Sequence, residues 1–134
     1  IEFKLRKITT QGTALLESQQ LNQLFQTRLS FQKIADDGTR VVTVDTTQGF
    51  FIFDAFGQFQ QQIKGGSVSV NFIVAQNILR WIGTDGYLHA INIQFPAIEQ
   101  TWILPENIKK ASHLRLFPGG IAAFSGNSIT IAQY

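Results

Sequence analysis

Residues 40–63, RVVTVDTTQGFFIFDAFGQFQQQI, decide the fold class of this 134-residue chain. The stretch contains three runs rich in apolar, β-branched and uncharged residues: Arg40–Asp45, Phe50–Asp54 and Gln58–Ile63. The turn signals Gln48-Gly49 and Phe56-Gly57 separate them. Short runs bounded by glycine are typical of β-strands, because glycine allows the positive φ that tight hairpins need. The stretch therefore predicts three antiparallel strands joined by two hairpins.

The same pattern recurs along the chain. Gly86 lies 37 residues after Gly49, and Asn127 lies 41 residues after Gly86, each at a turn before an alternating strand. Four antiparallel strands every 40 to 45 residues, roughly, is the repeat of β-propeller blades. We therefore predict an all-β, antiparallel fold that forms part of a β-propeller.

The repeat divides residues 1–134 into about three blades' worth of strands. The predicted parts are a half blade at 1–19, blades at 30–64 and 67–104, and an incomplete blade at 112–134. A closed propeller needs at least about four blades, so these strands cannot close a ring alone. We expect the chain to be a fragment or a subunit that pairs with another protein chain or with a missing N-terminal part of the same propeller.

Composition excludes several classes of function. The chain has no Cys, so it forms no disulfide framework, Cys-based zinc site or thiol nucleophile. Its net charge of +2 gives no strong reason to expect nucleic acid as a partner. The longest uncharged apolar run, around Phe50–Phe53, is far shorter than the roughly 20 residues of a membrane helix. No transmembrane segment is therefore predicted in this chain.

Titratable residues suggest structural roles. His89 and His113 each fall in a predicted strand, and a metal site would need them to converge with a carboxylate. Asp36-Asp37-Gly38 has too few oxygen ligands for a calcium loop and predicts a hairpin turn. Aspartate also stands at three predicted strand ends: Asp45, Asp54 and Asp85. This is ordinary turn chemistry, although two carboxylates about 5 to 9 Å apart would suit a glycosidase. No catalytic, metal or cofactor residue is assigned, and no cofactor is expected.

Trp81 and Trp102 are the candidate contact residues, and both fall in predicted strands. The chain has 12 Phe against two Trp and two Tyr. An excess of Phe favours packing between blades, whereas sugar sites prefer Trp and Tyr, which stack and also form hydrogen bonds. Each Trp is therefore expected either to lie in the core or to contact a partner or ligand.

The segment Ile52–Phe59, with its apolar-apolar-Asp-x-aromatic-Gly pattern, resembles a hairpin of a family of bacterial envelope β-propellers of the Bacteroidetes type. Phe3–Ile8, Glu17–Gln19 and Ile129–Tyr134 resemble the C-terminal half of that family. The resemblance covers most of this chain and about half of a typical member. It implies a cell-envelope location, periplasmic or outer-membrane associated, and its members have no assigned function.

These observations predict a non-enzymatic β-propeller segment that acts as a scaffold or protein-interaction subunit of a larger cell-envelope assembly. The prediction depends on the incomplete set of blades and on the lack of a catalytic motif. The alternative is a carbohydrate-binding or glycoside-cleaving propeller that uses Asp and Trp residues at one rim. Convergence of Trp81, Trp102 and two Asp residues on one exposed pocket would favour that alternative.

Overall fold

The computed structural model describes residues 5–17, 21 and 25–134, without the side chains of residues 7 and 14–17. The described residues form four antiparallel sheets, and none of these sheets closes on itself. The prediction of an all-β, antiparallel fold is therefore confirmed. The predicted half blade at 1–19 lies partly outside the described residues.

Each sheet is a meander in which strands that follow one another in sequence are hydrogen-bonded neighbours. The first sheet is a hairpin of β1 (Arg6–Ile8) and β2 (Ala14–Glu17). The second sheet holds β3 (Lys33–Asp36), β4 (Arg40–Asp45), β5 (Gly49–Asp54) and β6 (Phe59–Ile63). The third holds β7 (Phe72–Ala75), β8 (Ile78–Ile82), β9 (Tyr87–Asn92) and β10 (Glu99–Ile103). The fourth holds β11 (His113–Phe117), β12 (Gly120–Ser125) and β13 (Ser128–Gln133).

The chain divides into two compact units, Ile1–Gly65 and Gly66–Tyr134. The core of the first unit is rich in phenylalanine. Phe51 and Phe53 on β5 are fully buried, and the ring of Phe25 packs edge-on against Phe51 with the centroids 4.9 Å apart. Residues on both faces of β5 are buried, which explains why its sequence is continuously apolar rather than alternating.

The second unit has an aliphatic core between its two sheets. Ile82 and Leu88, which pair across β8 and β9, pack in one cluster with Ile121 and Ala123 of β12. Leu104 and Ile108 complete the cluster from the segment that follows β10. One face of the β7–β10 sheet therefore packs on one face of the β11–β13 sheet.

Two local features differ from the sequence prediction. Alternation predicts a strand from Val68, but β7 begins at Phe72. The Ser69 hydroxyl donates to the carbonyl of Ile82 and accepts from the N–H of Asn71, so it bridges two backbone groups that a regular ladder would join directly. The sequence prediction also missed the one-turn helix α1 (Glu106–Lys109), whose Lys109 N–H donates to the carbonyl of Pro105.

Candidate functional site

The two candidate tryptophans lie on opposite faces of the β7–β10 sheet. Trp81 stands opposite His89 in the register, whereas Trp102 stands opposite Leu88, and successive side chains of a strand alternate between faces. Trp81 is fully buried, and Trp102 is 46% exposed. The structure therefore does not bring Trp81 and Trp102 into one pocket.

A buried histidine links two carboxylates on the Trp81 face of this sheet. His89 Nδ1 lies 2.5 Å from Glu99 Oε1, and His89 Nε2 lies 3.0 Å from both carboxylate oxygens of Asp85. The imidazole is stacked on the Trp81 ring with the centroids 4.9 Å apart. We call Asp85, His89 and Glu99 the histidine cluster. It connects the β8–β9 turn, the central strand β9 and the edge strand β10.

The β8–β9 turn directs Asp85 towards the imidazole. Asp85 Oδ1 accepts a hydrogen bond from the N–H of Tyr87 at 3.1 Å, and the N–H of Gly86 donates to the carbonyl of Gly83 at 3.0 Å. A Cβ atom at Gly83 would overlap the Asp85 carboxylate and lie 2.7 Å from His89 Nε2. The cluster therefore requires glycine at position 83 for steric reasons.

The chemistry of the histidine cluster is that of an ion-pair network. Ionised carboxylates only accept hydrogen bonds, so only a protonated imidazole can donate to both Asp85 and Glu99. Burial raises the pKa of Asp85, but hydrogen bonds from His89, Tyr87 and Ser67 outweigh burial and lower that pKa. Because a carboxylate faces each ring nitrogen, the geometry does not match a serine–histidine pair, in which one nitrogen accepts the hydroxyl proton.

The sequence placed His89 in a strand but did not predict its two carboxylate partners. Asp85 is four residues before His89, which is a local signal, whereas Glu99 reaches the ring only through the register of β9 and β10. His113 is exposed and begins β11 in another sheet, so the two histidines do not converge. Within the described ranges, no group of three or more His, Asp or Glu residues is placed to hold a metal ion.

The other strand-end aspartates bind backbone N–H groups of their own turns. Asp54 Oδ1 accepts from the N–H groups of Phe56 and Gln58, both at 2.9 Å. Asp37, in the predicted hairpin turn Asp36-Asp37-Gly38, forms similar bonds, because its Oδ1 accepts from the N–H groups of Thr39 and Arg40. These bonds confirm the prediction that aspartate serves turn chemistry at these positions.

Asp45, which is buried at the β4–β5 turn, accepts hydrogen bonds with both of its carboxylate oxygens. Asp45 Oδ2 accepts from the N–H of Ser30 at 2.7 Å. Asp45 Oδ1 accepts from the N–H and hydroxyl of Thr47 and from the N–H of Gln48. Burial raises the pKa of Asp45, but these hydrogen bonds outweigh burial and lower the pKa. The carboxylate therefore ties the turn to the segment that precedes β3.

We expect Asp45→Asn to lower the free energy of unfolding at pH 7 by about 1–2 kcal/mol, because charge-assisted hydrogen bonds are lost. A lowered pKa means that the unfolded chain binds the proton first as the pH falls. The stabilisation is therefore present above the ordinary carboxyl pKa of about 3.9 and is lost as the pH falls through the lower folded value. Urea unfolding at pH 7 and at pH 3, followed by circular dichroism, measures the difference between wild type and variant.

The difference in the free energy of unfolding between the wild type and Asp45→Asn should be smaller at pH 3 than at pH 7. The matched control is Asp36→Asn, since the Asp36 carboxylate accepts from the Gly38 N–H on an exposed turn. We expect Asp36→Asn to change the free energy of unfolding by less than about 0.5 kcal/mol. A cost of Asp45→Asn that is the same at both pH values would contradict the prediction.

The side of the β11–β13 sheet that faces away from the aliphatic core is partly exposed, and it is apolar along β12 and β13. We call it the outer face, and its residues are His113, Arg115, Phe117, Ala122, Phe124, Ile129 and Ile131. Phe124 and Ile129 stand opposite each other across β12 and β13, and so do Ala122 and Ile131. Ile129 and Ile131 are 63% and 62% exposed. Both side chains are uncharged, and they alternate with Ser128, Thr130 and Ala132, whose side of β13 faces the aliphatic core.

The corresponding positions in the β7–β10 sheet are buried. Ile82 and Leu88 pair beside the β8–β9 turn, just as Phe124 and Ile129 pair beside the β12–β13 turn. Ile82 and Leu88 are covered by the core that the next sheet supplies. The outer face thus lies at the positions on which the neighbouring sheet packs against another sheet, and Ile129 and Ile131 are exposed there.

A cavity of about 200 Å³ in the first unit is lined mainly by apolar groups. Leu5, Ile34 and Val41 contribute to its wall together with Arg6 and Asp36. The cavity does not contain Trp81, Trp102 or a pair of aspartates. It therefore lacks the arrangement that a glycoside-cleaving site would need.

Comparisons with protein-family models, with curated proteins and with solved structures find no match. The resemblance to envelope propellers, and the location that it implies, therefore stay predictions. Among the described residues, no helix has both the length and the apolar character to span a membrane.

Proposed function

We propose that this chain is a β-propeller segment that acts as a non-enzymatic scaffold in a cell-envelope assembly. Its partner in this proposal is a protein that packs the apolar face of an antiparallel sheet on the outer face of β11–β13. The observation that carries the proposal is the exposure of Ile129 and Ile131, because the equivalent residues of the preceding sheet, Leu88 and Ala90, are buried.

The energetics favour occupation of the outer face. Burial of an Ile side chain that was exposed contributes about 1.5–3 kcal/mol, and Ile129 and Ile131 are both more than half exposed. Contiguous exposed apolar patches on proteins often mark interaction sites. The second unit already contains this kind of sheet-on-sheet packing, because Ile82 and Leu88 of the β7–β10 sheet pack on β12.

The repeated architecture supports the propeller part of the proposal. Two successive four-stranded meanders are followed by a three-stranded one, each with hydrogen-bonded neighbours in sequence order. Propellers are built from such meanders packed face to face. The carbohydrate alternative gains no support from the geometry, because Trp81 is buried and Trp102 lies on the other face of its sheet.

The oligomeric state of the 134-residue chain tests the proposal. In the absence of another partner, a second copy can cover the outer face, so light scattering after size exclusion should show association that increases with concentration. The double variant Ile129→Lys/Ile131→Lys should be monomeric, because two charges would be buried unpaired in the contact. Its circular dichroism spectrum should match that of the wild type.

Ile98→Lys is the matched control, since Ile98 is 72% exposed in the loop before β10, outside the outer face. This variant should associate as the wild type does. A wild-type chain that stays monomeric at all concentrations would overturn the proposal. A folded Ile129→Lys/Ile131→Lys variant that still associates would also overturn the assignment of the outer face.

A further inference from the structure

The outer edge of β13 differs from the equivalent edges of the two preceding sheets. β5 and β9 are the third strands of their sheets, and each pairs with a fourth antiparallel strand, β6 or β10. β13 is also a third strand, but in the part of the chain that the structure describes no strand pairs with its other edge. The β11–β13 sheet is therefore one strand short of its neighbours.

The sequence of β13 does not protect this edge. Natural edge strands avoid pairing with other chains by means of Lys, Pro, bulges or very short length. Ser128–Gln133 contains neither a charged residue nor a proline. Its register with β12 runs without a shift from Ser125–Ser128 to Gly120–Gln133, so no bulge interrupts it. An extended segment can therefore pair along the whole strand.

The hairpin geometry shows which backbone groups face this edge. A two-residue loop, Gly126-Asn127, joins the closing pair Ser125–Ser128. In such a hairpin the closing residues exchange backbone hydrogen bonds, and bonded and non-bonded pairs then alternate along the ladder. Ile129, Ile131 and Gln133 are therefore the residues whose N–H and C=O groups point away from β12. These groups are the acceptors and donors that an added strand would use.

We propose that β13 binds an extended segment of another polypeptide as a fourth antiparallel strand. This inference rests on the proposed function, because it describes how the partner that covers the β11–β13 sheet is bound. Backbone hydrogen bonds supply the affinity in this mode of recognition, and side chains that alternate between the two faces supply the specificity.

The fourth strands already present define the chemistry of the bound segment. The N–H of Gln48 donates to the carbonyl of Asp45, just as the N–H of Gly86 donates to the carbonyl of Gly83, so Ile52 and Ala90, each four residues further on, are equivalent. Gln61 and Gln100 stand opposite these two residues. The next two residues of the fourth strands are polar and then apolar: Gln62-Ile63 in β6 and Thr101-Trp102 in β10. A segment of the pattern Gln-polar-apolar therefore fits β13. In the matching register its apolar residue stands opposite Ile129, and its Gln stands opposite Ile131.

A synthetic peptide with the sequence of residues 98–104, IEQTWIL, is a suitable probe because it contains the Gln-polar-apolar pattern. We expect saturable binding of the dye-labelled peptide to the full 134-residue chain by fluorescence anisotropy. Hydrogen exchange measured by NMR should slow at the amides of Ile129 and Ile131. The amides of Ser128 and Thr130, which bond β12, should change little.

Ile131→Pro removes an outward N–H without removing a bond to β12, and it should weaken peptide binding about tenfold or more. Ile131→Val keeps the backbone and should bind as the wild type does. If Ile131→Pro does not fold, Gln133→Pro tests the same edge at the end of the strand. Binding that is equal in the proline and valine variants, or exchange that does not slow at Ile129 and Ile131, would overturn strand addition.

The two proposals fail in different ways. If the wild type does not self-associate but the peptide binds β13, the outer face is not the partner surface, and the proposal of strand addition stands. Self-association that depends on Ile129 and Ile131 side chains, without peptide binding, would overturn strand addition and leave the scaffold proposal standing. A peptide with the same residues in scrambled order should not bind, and its binding would overturn the proposed Gln-polar-apolar specificity.

Discussion

Phe51→Ala is expected to lower the free energy of unfolding of the first unit by about 3–5 kcal/mol. The Phe51 side chain is fully buried at the centre of β5, and its ring packs edge-on against Phe25 and Phe31 with centroid distances of 4.9 and 5.3 Å. The substitution removes buried apolar surface and leaves a cavity. Because β5 pairs with β4 on one side and with β6 on the other, the strands cannot move in to fill it. Urea unfolding monitored by circular dichroism measures the loss.

Phe56→Ala is the matched control for Phe51→Ala, because Phe56 is 67% exposed at the β5–β6 turn. We expect it to change the free energy of unfolding by less than about 0.5 kcal/mol. The same residue type is removed five positions along the chain, so burial is the main difference between the variants. Comparable losses in the two variants would show that the phenylalanine cluster does not form the core of this unit.

The strands were predictable because local signals and long-range packing agree. The predicted strand Arg40–Asp45 has the bounds of β4, and the predicted strand Phe50–Asp54 differs from β5 by one residue at its start. Each is followed by a turn that contains glycine, and each pairs with the next strand in sequence. Such hairpins depend on contacts between residues close in the chain, which a sequence pattern records directly.

The beginning of β7 was not predictable from alternation alone. Val68–Phe72 alternates as a strand would, but the Ser69 side chain forms bonds to the Ile82 carbonyl and the Asn71 N–H. A serine hydroxyl that competes with the backbone for hydrogen bonds gives no signal in the apolar pattern. The helix at Glu106–Lys109 also gives no signal in the apolar pattern, because it has four residues and Ile108 is its one buried residue.

The histidine cluster was not predictable because it depends on strand register. Glu99 begins β10 after the loop that follows β9, and it stands opposite Ile91, two residues from His89 along β9. A shift of one residue in that pairing would turn Glu99 to the other face of the sheet. The exposure of the outer face is also a tertiary property, since Ile129 and Ile131 alternate just as Leu88 and Ala90 do.

His89→Leu is expected to lower the free energy of unfolding of the second unit by about 2–4 kcal/mol, because removal of one member of a buried ion pair leaves its partners uncompensated. In this case two carboxylates, Asp85 and Glu99, lose the group that both face. Their side chains are 35% and 34% exposed, so solvent screening keeps the loss below that of a fully dry pair. Urea unfolding at pH 6 measures the change.

The triple variant Asp85→Asn/His89→Leu/Glu99→Gln separates charge from packing. Leucine retains an apolar side chain beside Trp81, and the two amides carry no charge, so the repulsion that His89→Leu creates is absent. Replacement of a complete buried ion network by neutral groups is often close to neutral, whereas removal of one member is costly. We therefore expect the triple variant to recover at least about half of the stability that His89→Leu loses. A triple variant no more stable than His89→Leu would assign the loss to the stacking of His89 on Trp81 rather than to its two carboxylate partners.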